Sequence, residues 1–147
     1  MAARGPWLLA ALWWGGLTAL ALVAVPLSFA HFGNPAVAGP YAARLFQAIA
    51  WGSLIISLLL LVWGRLQSLR EGSGVSLRWP LLPWLLAAAL AALLQEQAVA
   101  ERILTARSSG GNLRLWHGLG SALVLVQWLC ALRVLWWLGR GGAAGPR

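Results

Sequence analysis

Four long apolar runs, separated by short polar clusters, organise the 147-residue chain. Residues 7–30, WLLAALWWGGLTALALVAVPLSFA, carry no charge, and only Thr18 and Ser28 are polar. As a helix rising 1.5 Å per residue, this run covers about 36 Å, more than the ~30 Å hydrocarbon core of a bilayer. Ser28-Phe29-Ala30 resembles a signal-peptide cleavage site, but the run exceeds an h-region of about 7–15 residues and is read as a span. Residues 45–64 form a second charge-free run. A helix starting near Pro40, tolerated in a first turn, places that span at about 41–64. Residues 79–94 are apolar but cover only about 24 Å. The third span, about 79–101, must therefore carry Gln95, Glu96 and Gln97 towards its far interface, with Pro80 and Pro83 in its first turn. Residues 115–132 are again free of charge, and the fourth span runs to about 138 with Arg133 snorkelling to the nearer interface.

Helices are the only open choice for these runs. Lipid cannot satisfy free backbone groups, and the alternation of barrel strands is missing. The connections are short and turn-rich: HFGNPAVAGP at 31–40, REGSG in the second, SSGGN in the third, with Asn112 a fair N-cap for the fourth helix. Short loops force neighbours antiparallel. The expected fold is an all-α, four-helix, up-down-up-down transmembrane bundle over residues 1–139, followed by a disordered tail at 140–147. Arg4, Arg65, Arg70, Arg78, Arg133, Arg140 and Arg147 flank one side and Arg44, Arg102, Arg107 and Arg114 the other. This bias puts both termini in the cytoplasm. Trp7, Trp63, Trp79, Trp84, Trp136 and Trp137 fall near that same side, where amphipathic rings anchor.

Composition agrees with a lipid-embedded chain. Hydrophobic residues make up 61% and charged ones 10%, against about 25% charged in a soluble domain. The net charge of +8 invites a nucleic-acid reading, which the pattern excludes: every basic residue is Arg, and these flank apolar runs instead of forming a block. The lack of Lys beside abundant Ala, Leu, Gly and Arg points to a GC-rich bacterial genome, hence a multi-pass protein of the bacterial inner membrane. Cys130, the single cysteine, lies in an apolar run and reads as a small packing side chain. Ala11, Gly15 and Ala19, and likewise Gly118 and Ala122, recur every four residues. Such rows let helix backbones approach closely, here within the bundle or, less favoured, in a homodimer.

The chain has no Asp, no Gly-rich phosphate loop, no paired metal motif and no nucleophile–base–acid set. No enzyme, cofactor or metal site is expected. One constellation remains. The topology gathers His31, Arg44, Glu96, Glu101, Arg114 and His117 at the outer ends of the four helices, with Arg114, His117 and Ser121 sharing one helix side through i+3 and i+4 spacing. Intramembrane ionisable residues lean towards function, which makes Arg44, Glu96, Glu101, Arg114 and His117 the candidate ligand-binding set. The plainer alternative is an Arg–Glu clasp that holds helix ends together. Pro26 removes one helical hydrogen bond, frees the carbonyl of Leu22 and is the expected kink.

Several short motifs carry a resemblance. Trp13-x-Gly15-Gly16, Pro26-x-x-Phe29, Ala38-Gly39 through Arg44-Leu45-Phe46, and His117-Gly118 resemble the transmembrane protein 205-like family, whose bacterial members are small inner-membrane proteins with a domain of unknown function. The resemblance spans most of the chain and implies a four-helix membrane domain. The animal member's link to resistance against a platinum drug hints at transport. Departures stand at Gly120, Val124 and Glu101, where the family pattern has Ser, Asn and Pro, so Pro26, Arg44 and His117 carry over best. Three functions compete. The first is small-molecule binding or a transport-associated role through the outer polar cluster. The second is a structural subunit of a larger membrane complex. The third, disfavoured by poor ligand supply, is a copper- or haem-handling membrane protein. The lipid bilayer is the expected partner, with a second copy of the chain or a larger membrane complex left open.

Overall fold

The computed structural model describes residues 4–70, 79–100 and 113–143. All elements among them are helical. Helix α1 runs Arg4–Phe32, α2 Pro35–Arg70 and α4 Leu113–Ala143. Helix α3 is α-helical over Leu82–Leu94 and continues as a π-helix over Gln95–Ala100. Three of the four are long and apolar enough to cross a membrane: Arg4–Phe32, Val37–Arg70 and Leu115–Arg140. The apolar part of α3, Leu82–Ala98, is shorter, as its early polar residues foretell.

The first connection is tighter than the sequence suggests. Residues 31–40 form no loop: Gly33 and Asn34 alone join α1 to α2. Gly33 takes φ +60°, a left-handed position that glycine fills without strain, and its N–H donates to the Phe29 carbonyl at 3.2 Å. The Asn34 carbonyl then accepts from the N–H groups of Val37 and Ala38, both at 3.0 Å, while Pro35 occupies a first-turn position whose N–H has no helical partner anyway. Helix α2 thus starts five residues before Pro40, and its 36 residues reach about 54 Å. Helix α4 likewise runs through Arg140 into the segment expected to be a disordered tail.

Each helix buries a seam with alternating three- and four-residue steps. On α1 it comprises Ala10, Trp13 and Leu17; on α4, Val124, Gln127, Ala131, Val134 and Leu138. Helix α3 offers Leu85, Ala88 and Ala92, and α2 Ala50, Ser53, Ser57 and Leu60. This is the knobs-into-holes spacing of helix bundles. The small residues that permit close approach are not the expected rows. Gly15 and Ala19 are exposed, and a Cβ added at Gly15, Gly16 or Gly118 would meet nothing within 4 Å. Close approach falls instead to Ala88, Ala91, Ala92 and Ala131, and to Gly64, against which the Trp79 indole is pressed. Composition so rich in Ala and Gly generates such rows on every face, so spacing alone does not select the packed one.

The outer surface is the converse of a soluble protein's. Leu12, Leu22, Ile55, Leu58, Leu90 and Leu125 all stand exposed, on a scale that water would not tolerate. Aromatic rings collect at one end. Trp63 meets Trp79 at 6.3 Å between ring centroids, the Arg133 guanidinium lies 5.8 Å from the Trp84 ring, Arg140 lies 4.8 Å from Trp136, and Trp7 packs across Gly139. Such cation–π contacts contribute about 0.5–1 kcal/mol at exposed sites.

Candidate functional site

The opposite end of the bundle holds a cavity of about 430 Å³ to which all four helices contribute. Two departures from α-helical geometry flank it. In α1 the segment Ala19–Ala24 is π-helical, with the Val25 N–H donating to the Leu20 carbonyl five residues back. Pro26 follows directly and cannot supply an N–H to Leu22. Below this point α4 packs along Arg4–Thr18; beyond it, Val25–Phe32 packs on α2. The hinge between these regimes is marked by Thr18, which donates to the Trp14 carbonyl at 2.8 Å and accepts from Trp128 Nε1 at 2.9 Å. The second departure is the π-helical end of α3, and it carries Gln95 and Glu96. Single π turns recur at functional sites, because the wider turn re-aims side chains that an α-helix would place elsewhere.

Val25 and Phe29 from α1, with Pro40, Ala43 and Phe46 from α2, form apolar walls. The polar lining is Arg44 and Gln47 from α2, Gln95 and Glu96 from α3, and His117 and Ser121 from α4. Three of the five residues singled out from sequence, Arg44, Glu96 and His117, therefore meet around one space. Glu101 and the side chain of Arg114 lie outside the described residues. His31 is not in the lining; its ring packs edge-on against Phe32 at 5.3 Å, and Phe32 in turn against Tyr41 at 5.6 Å.

Arg44 and Glu96 are joined through an amide. Arg44 Nη1 donates to Gln47 Oε1 at 3.2 Å, and Gln47 Nε2 donates to Glu96 Oε1 at 2.7 Å. The two charges fix the amide's orientation, oxygen towards the cation and nitrogen towards the carboxylate. Charge-assisted hydrogen bonds of this kind are the stronger class. The guanidinium remains exposed while Glu96 is half-buried.

A second polar layer seals the inner side. Gln95, 4% exposed, donates from Nε2 to the Phe46 carbonyl at 3.1 Å. Gln127, fully buried, donates from Nε2 to Gln95 Oε1 at 2.7 Å and to the Leu123 carbonyl at 3.3 Å. Three helices are thereby tied at one level. Gln127 Oε1 is itself buried with no hydrogen-bond partner. Neither Gln47 nor Gln127 belongs to the candidate set drawn from the sequence. The signal that would have found them is the spacing of Gln47 three residues after Arg44, and Gln127's place on the buried seam of α4.

This arrangement is equipped for binding. It offers a guanidinium fork, an imidazole, a hydroxyl and a carboxylate within apolar walls, as small-molecule sites do. Among the described residues, no three His, Cys, Asp or Glu side chains gather as a metal site would require. Cys130 is buried on the α4 seam, several turns beyond Ser121.

Apolar outer faces, helices of spanning length and a cavity lined with polar groups at one end define a helical bundle of the membrane-protein kind. The chain matches the family described as Domain of unknown function (DUF4149) over residues 8–112, and belongs to it. The match ends ahead of α4, so His117 and Ser121 lie beyond the matched segment. No curated protein and no solved structure matches the chain.

Proposed function

We propose that this protein is a multi-pass protein of the bacterial inner membrane, an up-down-up-down bundle with both termini cytoplasmic, that binds a small molecule in the cavity at its outer end. The carrying observation is the convergence of Arg44, Gln47, Glu96, His117 and Ser121 from three helices onto one space of about 430 Å³. That volume lies within the ~300–1,000 Å³ of ordinary ligand sites. A mere clasp would bring Arg44 onto Glu96 and close the space; here the charges are held apart by an amide and stay beside it. The transmembrane protein 205-like resemblance, with its hint of transport, is consistent with a bound small molecule.

Antiparallel neighbours are supported by the order of paired residues. Trp7 lies against Gly139 and Thr18 against Trp128; Phe46 and Gln47 meet Gln95 and Glu96, while Gly64 meets Trp79. Helix α3 spans as the fourth member because the inward part of its polar end is satisfied from within, Gln95 bonding to Phe46 and Gln127 and Glu96 to Gln47, while Gln97 is exposed.

Two measurements test this. Single cysteines introduced at Gly5 and at Asn34, in a Cys130→Ser background, are probed with a membrane-impermeant maleimide in intact cells. Asn34→Cys should label and Gly5→Cys should not; the reverse overturns the orientation. For binding, purified protein is screened for thermal stabilisation by a panel of small molecules. Arg44→Ala, His117→Ala and the cavity-filling Ala43→Trp should each abolish or weaken the responses of wild type. Identical responses in all three variants remove the cavity as the site.

A further inference from the structure

We infer that the cavity takes an anionic amphiphile, a phosphate or carboxylate head on a hydrocarbon chain, and admits it sideways from the membrane between α1 and α4. The inference rests on the cavity being a binding site, and adds its ligand class and its route.

The route follows from where α1 and α4 part. They pack together along Arg4–Thr18, and the Trp128–Thr18 hydrogen bond holds them at the upper limit of that stretch. Past the π-helical segment, α1 keeps its packing on α2 and draws away from α4. Val25 and Phe29 then border the cavity on one side and His117 and Ser121 on the other. His117 and Ser121 line the space and are still exposed on the bundle's outside. The space is thus continuous with the surface between α1 and α4, and Leu22 and Leu125, one turn from the lining residues Val25 and Ser121, are both exposed. A hydrocarbon chain can lie there while its head reaches inward.

The head's charge follows from how the polar groups are already engaged. Glu96 is half-buried and holds the Gln47 amide on Oε1. Arg44 is exposed, spends Nη1 on Gln47, and has the remaining edge of a fork that matches carboxylate and phosphate oxygens. His117 and Ser121 supply further polar groups from the facing wall, within reach of the same space. An ammonium head drawn to the second oxygen of Glu96 would share the space with the exposed Arg44 cation. An anion completes the arrangement without disturbing it. The apolar walls, chiefly Phe29 and Phe46, suit the first part of the chain, and the rest stays in lipid.

The head chemistry is shared by free fatty acids and anionic phospholipids, and the test separates them. Full-length protein in phosphatidylcholine nanodiscs is illuminated with a diazirine-bearing fatty acid, and adducts are mapped by mass spectrometry. Adducts are expected on Val25–Phe32 and on the start of α4. Excess dodecyl phosphate should compete, and excess inorganic phosphate or dodecyltrimethylammonium should not. Competition by unlabelled fatty acid but not by phosphatidic acid identifies a single-chain ligand; competition by both admits phospholipid. Arg44→Gln should weaken labelling at least about ten-fold, the scale of one lost charge-assisted bond, while Arg44→Lys retains part of it. Ser121→Trp, at the opening and clear of the Arg44–Gln47–Glu96 bridge, should block labelling.

Undiminished labelling in Arg44→Gln, or competition by the ammonium probe, overturns the anionic head and leaves the cavity as a site for something else. Competition by inorganic phosphate overturns the amphiphile. Adducts scattered over the lipid-facing leucines with none at the cavity overturn both head and route. Failure of the binding reading itself shows separately, as small-molecule stabilisation that persists in Ala43→Trp.

Discussion

Gly64→Ala tests the packing of the aromatic end with one methyl group. An ideal Cβ at position 64 would stand 2.5 Å from Trp79 Cη2, 2.6 Å from Cζ3 and 2.8 Å from Cζ2. Carbon atoms rest at about 3.5–4.0 Å, so the indole must withdraw by about 1 Å. Trp63 stands beside the ring, and Leu81, two residues along and 1% exposed, anchors the chain that carries it. Overpacking of this kind costs about 1–3 kcal/mol. Alanine's helix preference over glycine returns about 0.5–1 kcal/mol. The middles of the two ranges leave a net loss of about 1 kcal/mol. Gly118→Ala is the control: nothing stands within 4 Å of its Cβ, so only the favourable part operates and stability rises by up to about 1 kcal/mol. Reversible unfolding in mixed micelles, followed by circular dichroism, reads both. The double variant Gly64→Ala/Trp79→Leu closes a mutant cycle and should recover most of the loss. A Gly64→Ala protein as stable as wild type, or a loss that persists unchanged in the Trp79→Leu background, would refute the reasoning.

Other perturbations follow from single contacts. Trp13→Phe removes the 2.9 Å bond to Ser53 Oγ and leaves that hydroxyl 1% exposed without its donor; a loss of about 1–2 kcal/mol is expected, part of it recovered by adding Ser53→Ala. Gln127→Leu breaks the link to Gln95 but also removes the unpartnered Oε1. Interhelical bonds in lipid average about 0.6 kcal/mol, so the two effects nearly cancel, and unfolding should shift by less than about 1 kcal/mol. Pro26→Ala supplies an N–H for the Leu22 carbonyl. It should raise stability while lowering ligand-induced stabilisation, as α1 regains regular geometry beside the cavity; unchanged ligand responses would dissociate the π segment from the site.

Three helices were legible because lipid imposes a length: charge-free runs such as 45–64 have no other use. The short third run, and the need for it to carry Gln95 and Glu96, was legible for the same reason. The meeting of Arg44, Glu96 and His117 followed from counting helix ends. What sequence did not reveal depends on rotation about helix axes. Gly15 and Ala19 formed a convincing row and face outward, since the buried seam runs through Trp13 and Leu17 instead. Gln47 between Arg44 and Glu96, and Gln127 on Gln95, required knowing which side of each helix faces its neighbour. Residues 31–40 misled differently: a dense group of turn formers met a two-residue connection, with Pro35 and Pro40 absorbed into a helix that begins early.

The π-helical turn at Ala19–Ala24 has a consequence for how this gene can change. An i→i+5 ring holds one residue more than an α-turn, so the segment stores a spare residue. Deleting one alanine there converts the turn to α-helix and leaves the residues on either side in phase. The same deletion within Trp13–Leu17 would rotate everything after it by about 100°, carrying Val25 and Phe29 off the cavity wall. Shortening of α1 is therefore tolerated at one address, immediately beneath the cavity, where removing a residue adjusts the wall's shape without dismantling the seam below.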